Sequence, residues 1–97
     1  MNASPGPATL SRRARRSEDV LIQEVGGEAV LLDLASERYF GLDPVGTRIW
    51  ELLADAPTLA DVHATLCTQY DAESARISAD LLALANQLAD AGLIRLE

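Results

Sequence analysis

Apolar and polar positions change rhythm once along the chain. From Val20 to Leu42 they come in short blocks suited to strands, and from Pro44 to Ala91 they recur at helical spacing. Val20 to Val25 (VLIQEV) is a β-branched-rich block. Gly26-Gly27 follows it, a pair suited to a two-residue hairpin whose central residues take positive φ. Ala29 to Leu34 (AVLLDL) is the returning strand, with Val30, Leu32 and Leu34 on one face and Ala29, Leu31 and Asp33 on the other. A turn at Ala35-Ser36-Glu37 leads to a short third strand, Arg38 to Leu42 (RYFGL), with Phe40 and Leu42 on one side and Tyr39 on the other. The pattern predicts a three-stranded antiparallel meander.

Asp43-Pro44 then opens a helix, Asp as N-cap and Pro at the first helical position, where a missing N–H is no loss. Val45, Ile49, Leu52 and Leu53 keep helical spacing to about Asp55, ahead of Pro57. Thr58 opens a second helix with Leu59, Val62 and Leu66 on its apolar side. A third runs from about Ser74 to Ala91 and stops at Gly92, a good C′ residue. It carries two apolar stripes: Ile77, Leu81, Leu84 and Leu88, and to one side Leu82, Ala85 and Ala89. Periodicity alone leaves two readings open, a wide core-facing surface or one core stripe beside a groove that a partner fills. Leu93 to Leu96 is a short terminal segment. The predicted class is α+β, winged-helix-like: a three-stranded antiparallel meander followed by three helices.

Composition sets bounds on this picture. With 97 residues there is room for one domain, and 48% apolar content with 24% charged reads as globular. Residues 1–17 hold Arg12, Arg13, Arg15 and Arg16, no acid, and one large aliphatic beyond Met1, namely Leu10. They are expected to form a disordered basic tail, with the domain over 18–97. The net charge is −7, and all 15 acids lie after that tail. So acidic a body repels a phosphate backbone, and no nucleic acid is expected on the folded part. A winged-helix regulator using the arginine tail is the alternative; it lacks a basic recognition helix, since the third helix carries only Arg76. No apolar run is long enough to span a membrane and no signal peptide is apparent, so a cytoplasmic location is expected.

Candidate chemistry is sparse. His63 and Cys67 lie i, i+4 on the second helix, the spacing of a thiolate–imidazole pair, yet no third orienting group accompanies them. One Cys and one His exclude both a disulfide framework and an ordinary four-ligand zinc site. Lysine is absent, which excludes Schiff-base catalysis through a lysine amine. Gly26-Gly27 has no following helix and lysine to cradle a phosphate. The residues therefore predict no enzyme, no metal and no cofactor.

The run VLLDLASERYFGLDPVGTRIWELL, followed by TLADVHATLCTQYD and a helix closing on AGLI, resembles the PqqD-like family, the RiPP recognition elements. The resemblance spans about residues 19–97 and is strongest from Asp33 to Leu53. Tyr39-Phe40-Gly41-Leu42 and Ile49-Trp50 are most similar to the stand-alone members of lasso-peptide biosynthesis. The family often has Gly in the second turn, where this chain has Ser36-Glu37; a non-Gly residue at positive φ costs about 1–2 kcal/mol. The resemblance implies a binding module, not a catalyst. A precursor's leader peptide would add as a strand to the open edge of the third strand, with its side chains in a cleft against the third helix. The implied leader-binding residues are Arg38, Tyr39, Phe40, Gly41 and Leu42 of the strand and Ile77, Asp80, Leu81, Leu84 and Leu88 of the helix. Arg38 would meet an acidic leader residue and Asp80 a basic one. The implied partners are the leader region of a precursor peptide and a leader peptidase or other RiPP-modifying enzyme.

Overall fold

The computed structural model describes residues 7–55 and 57–97. In chain order these form β1 (Ala14–Arg16), β2 (Val20–Val25), β3 (Glu28–Asp33), β4 (Arg38–Leu42), α1 (Pro44–Leu52), a single 3-10 turn (Leu53–Asp55), α2 (Leu59–Gln69), α3 (Ser74–Asp90) and β5 (Ile94–Leu96). The class is α+β, with three helices among the described residues and antiparallel sheets.

The meander forms as expected, in the order β2-β3-β4. Gly26 and Gly27 take φ of 62° and 85°, the geometry a tight hairpin needs. The second turn carries a left-handed residue that is not glycine, Glu37 at φ 61°. Asp33 holds it there. Its carboxylate accepts from the Ala35 N–H (3.3 Å) and the Ser36 hydroxyl (2.8 Å), while its carbonyl accepts from the Glu37 N–H (2.7 Å). Three local hydrogen bonds thus offset the left-handed cost.

Ala29, Leu31 and Leu42 turn inward and are buried, with Phe40 packed beside them. Val30 and Leu34 turn outward. α1 lies across the inner face and is fixed by polar bonds at both its start and its middle. Asp43 Oδ1 accepts from the Gly46 N–H (2.7 Å), and the buried Thr47 hydroxyl accepts from the Ala29 N–H of β3 (3.0 Å). Trp50 and Leu53 complete the contact with the core. α1 ends at Leu52, earlier than periodicity predicts, and the chain tightens into the 3-10 turn ahead of Pro57.

Thr58 caps α2, its hydroxyl accepting from the Asp61 N–H (3.2 Å). Gly92 ends α3 at φ 76°, with Leu93 N–H bonded to the Leu88 carbonyl (2.9 Å) and Gly92 N–H to the Ala89 carbonyl (3.0 Å). That Schellman closure turns Leu93 into the core beside Leu88.

The expectation of a disordered stretch over residues 1–17 gives way to an ordered one over 7–17; residues 1–6 lie outside the described residues. β1 pairs antiparallel with β5, a strand where only a short terminal segment was foreseen: Ala14 opposite Leu96, Arg15 opposite Arg95, Arg16 opposite Ile94. Backbone bonds extend the contact on both sides. Ala14 N–H donates to the Pro57 carbonyl, Leu59 N–H to that of Arg12, and Ala60 N–H to that of Leu10. The Ala8 N–H reaches Asn86 Oδ1 (2.8 Å). Ala8 and Ala14 are buried. A composition argument weighs apolar side chains, and this segment is held chiefly by its backbone.

The arginines of this segment serve the fold. Arg16 stacks 4.5 Å from the centroid of the Trp50 ring and donates to the Trp50 carbonyl (3.2 Å), and burial pushes its guanidinium below its ordinary pKa. Arg12 donates to the carbonyls of Pro7 and Leu96. Arg15 and Arg95, opposed in register, share the Glu97 carboxylate at 3.1 and 3.3 Å. These two cations hold the Glu97 carboxyl below its usual value.

Candidate functional site

β4 is the last strand of the meander, so one of its edges has no strand partner among the described residues. Beside that edge runs a cleft of about 480 Å³. β4 supplies Phe40, Gly41 and Leu42 to it; the start of α1 supplies Asp43, Val45, Gly46 and Ile49; α3 supplies Asp80, Ala83, Leu84 and Gln87. A smaller apolar cavity of about 120 Å³ continues it, sharing Val45, Ile49 and Asp80 and adding Leu66, Tyr70 and Ile77. Gly46 is closely packed: a Cβ there would stand 3.2 Å from Asp43 Oδ1 and 3.3 Å from the Leu42 side chain. That close approach lets the first turn of α1 sit against the end of β4.

An extended segment lying along β4 would find unpaired backbone groups on one side and an apolar trough on the other. Strand alternation would send every second side chain into that trough. The fixed charges there are carboxylates, Asp43 and Asp80. Arg76 approaches Asp80 at 3.9 Å, with both side chains largely exposed, a pair of little energetic weight.

The expected site residues divide into three groups. Phe40, Gly41, Leu42, Asp80 and Leu84 line the cleft, and Ile77 lines its continuation. Leu81 and Leu88 are wholly buried and belong to the core. Tyr39 and Arg38 are exposed and absent from the cleft walls. Tyr39 projects from the opposite face, beside Leu21, Val30 and Leu32, as its alternation with Phe40 requires. α3 resolves its two stripes in a third way: Ile77, Leu81, Ala85 and Leu88 face the core, while Asp80, Ala83, Leu84 and Gln87 face the cleft. That second set has i, i+3, i+4, i+7 spacing. Its polar ends hid it from a search for apolar stripes.

His63 and Cys67 do meet, at 3.4 Å between Nε2 and Sγ. The same nitrogen lies 2.9 Å from the Ser74 carbonyl oxygen and 3.2 Å from the Ser74 hydroxyl. A carbonyl only accepts, so Nε2 carries the ring proton and donates it there. In that tautomer it cannot take the thiol's proton. His63 instead ties α2 to the first residue of α3, whose cap residue Glu73 makes no side-chain bond of its own.

The fold and site define a small α+β domain with an open strand edge beside an apolar trough. Residues 28–94 match the family described as Coenzyme PQQ synthesis protein D (PqqD), and the chain belongs to that family. A PqqA binding protein of Rhodopseudomonas palustris (strain HaA2) is 36% identical over 61 residues, 63% of this chain and 60% of that protein. The chain thus aligns with about 60% of that relative's length. Two solved structures share the fold. TbiB1 in complex with the TbiA(beta) leader peptide superposes with a TM-score of 0.77 at 32% identity, covering 84% of this chain and 94% of that one. A lasso peptide synthetase B1 complexed with the leader peptide gives 0.74 at 27% identity, covering 84% and 96%. Among the described residues no helix is long and apolar enough to cross a membrane.

Proposed function

We propose that this protein binds the leader region of a ribosomal precursor peptide by strand addition to β4 and presents it to a modifying enzyme, a lasso leader peptidase in the first instance. The observation that carries this reading is the coincidence of the unpaired β4 edge with the cleft between β4 and α3. Main-chain bonds along Arg38 to Leu42 supply affinity with little sequence preference. Phe40, Leu42, Ile49 and Leu84 select apolar leader side chains, and Asp80 favours a basic one. The two similar structures are both complexes with a leader peptide, which supports leader binding by this chain. The protein acts by binding, without chemistry of its own. The winged-helix regulator is not favoured, since the arginines it would use are spent on Trp50, Glu97 and backbone carbonyls.

Fluorescence polarisation with a labelled leader peptide, from a precursor encoded beside this protein, tests the reading. Ala83→Trp fills the cleft from an exposed helix position, so it should cut leader affinity at least ~10-fold while leaving the melting temperature unchanged. Tight binding by this variant would place the leader elsewhere.

A further inference from the structure

The outer face of the β2-β3-β4 sheet has the composition of a buried surface. Leu21, Leu32 and Tyr39 form one cross-strand row, and Gln23, Val30 and Gly41 the next. Val25 extends the face at a corner and Leu34 at the far end of the central strand. Leu21 is 57% exposed, Val25 72%, Val30 43%, Leu34 48% and Tyr39 73%. The twisted sheet makes a shallow hollow of about 340 Å³ between Leu21, Val30, Leu32 and Tyr39. Large apolar side chains gathered on one exposed face mark an interaction site. The leader reading leaves this face unused, because β4 turns Phe40 toward the cleft and Tyr39 away from it.

We propose that this face docks an amphipathic helix of a partner protein, with its apolar stripe on Leu21, Val30, Leu32 and Tyr39 and with lysine or arginine on its flanks. Size is the first argument. Three strands spaced ~4.8 Å apart, about six residues long at ~3.3 Å each, offer roughly 300 Å². That flat footprint suits a single helix, about 10–12 Å across, laid over the sheet. Charge is the second. Glu28 shares the face by alternation at one end of the sheet, Asp19 and Glu37 stand exposed at the other, and the sheet's one arginine, Arg38, alternates to the other side. A second copy of this chain would set those acids against themselves, at a net −7 on each molecule. A basic-flanked helix meets them with opposite charge.

The test uses the whole chain and two synthetic helical peptides of about 18 residues, with Leu at i, i+3, i+4 and i+7 and either Lys or Glu on the flanks. Titration is followed by fluorescence polarisation and by amide chemical shifts. The Lys peptide should bind at least ~10-fold tighter than the Glu peptide, with shifts at Leu21, Val30, Leu32 and Tyr39 rather than at Ala83 and Gln87. Replacing Leu21, Val25 and Val30 together by Thr keeps β propensity while removing apolar surface and leaves β4 untouched. That variant should keep its melting temperature and its leader affinity and lose the Lys peptide at least ~10-fold. Equal binding by the variant, shifts confined to the cleft, or equal binding of the two peptides would overturn the proposal. So would a dimer of the wild-type chain in sedimentation that the Thr variant abolishes, because the face would then belong to a second copy.

Discussion

One sheet presents two unlike faces. The inner face is built from Ala29, Leu31 and Leu42, closed by α1 and locked by the Thr47 hydroxyl on the Ala29 N–H. The outer face has side chains just as apolar, Leu21, Val30 and Tyr39, and leaves them in water. Residue type does not distinguish the faces; what covers them does. The inner residues contribute stability to the chain itself, and the outer ones hold an equivalent apolar area in reserve for something that arrives later.

Three measurements would break or sharpen this contrast. The largest effect is expected from truncation on the inner face. Leu31→Ala should cost about 2–5 kcal/mol in denaturant unfolding, whereas Leu21→Ala on the outer face should stay within about 0.5 kcal/mol. Similar losses for both would mean that the outer face is covered in the isolated protein. Next comes the turn that serves both faces equally. Glu37→Gly relieves a left-handed residue and should raise stability by roughly 1 kcal/mol, leaving leader affinity unchanged. A loss of stability would show that the Asp33 bonds need the present backbone. The smallest effect lies away from the sheet, at Glu97. Its folded pKa is depressed by Arg15 and Arg95, so its contribution is present above the ordinary value of 4.5 and is lost as pH falls through the folded value. Amide exchange of β5 should therefore quicken as pH is lowered past that ordinary value, relative to a Glu97→Gln protein, whose β5 already lacks that carboxylate. Identical pH profiles would remove Glu97 from the clasp.

Local signals were legible and long-range ones were not. Gly26-Gly27, Asp43-Pro44, Thr58 and Gly92 each mark a turn or cap by side-chain chemistry confined to a few residues, and each stands where that chemistry places it. The β1–β5 ribbon depends on Ala14 meeting Leu96, and nothing local in ARR announces a strand. The site was half legible. Its edge strand and helix were identifiable, but the helix offered two apolar stripes and neither is the set that lines the cleft. Leu81 and Leu84 look alike in sequence, yet one is core and the other lines the cleft, because helix rotation is set by packing against α2 and β5. Tyr39 and Phe40 alternate along β4, and of the two side chains only Phe40 lines the cleft.

The ribbon also bears on how the chain assembles. The Arg15–Glu97 bond joins residues 82 apart, and every hydrogen bond between β1 and β5 has a comparable span. Such contacts repay their loop-closure entropy only after the intervening elements have collapsed. During synthesis the meander and α1 can form as soon as they emerge, but Ala14 waits uncovered until β5 leaves the ribosome. The domain is therefore sealed by its last strand. A chain halted before Ile94 would hold a finished β4 edge on an unfinished body, with the Leu93–Leu96 side of the core still open to solvent.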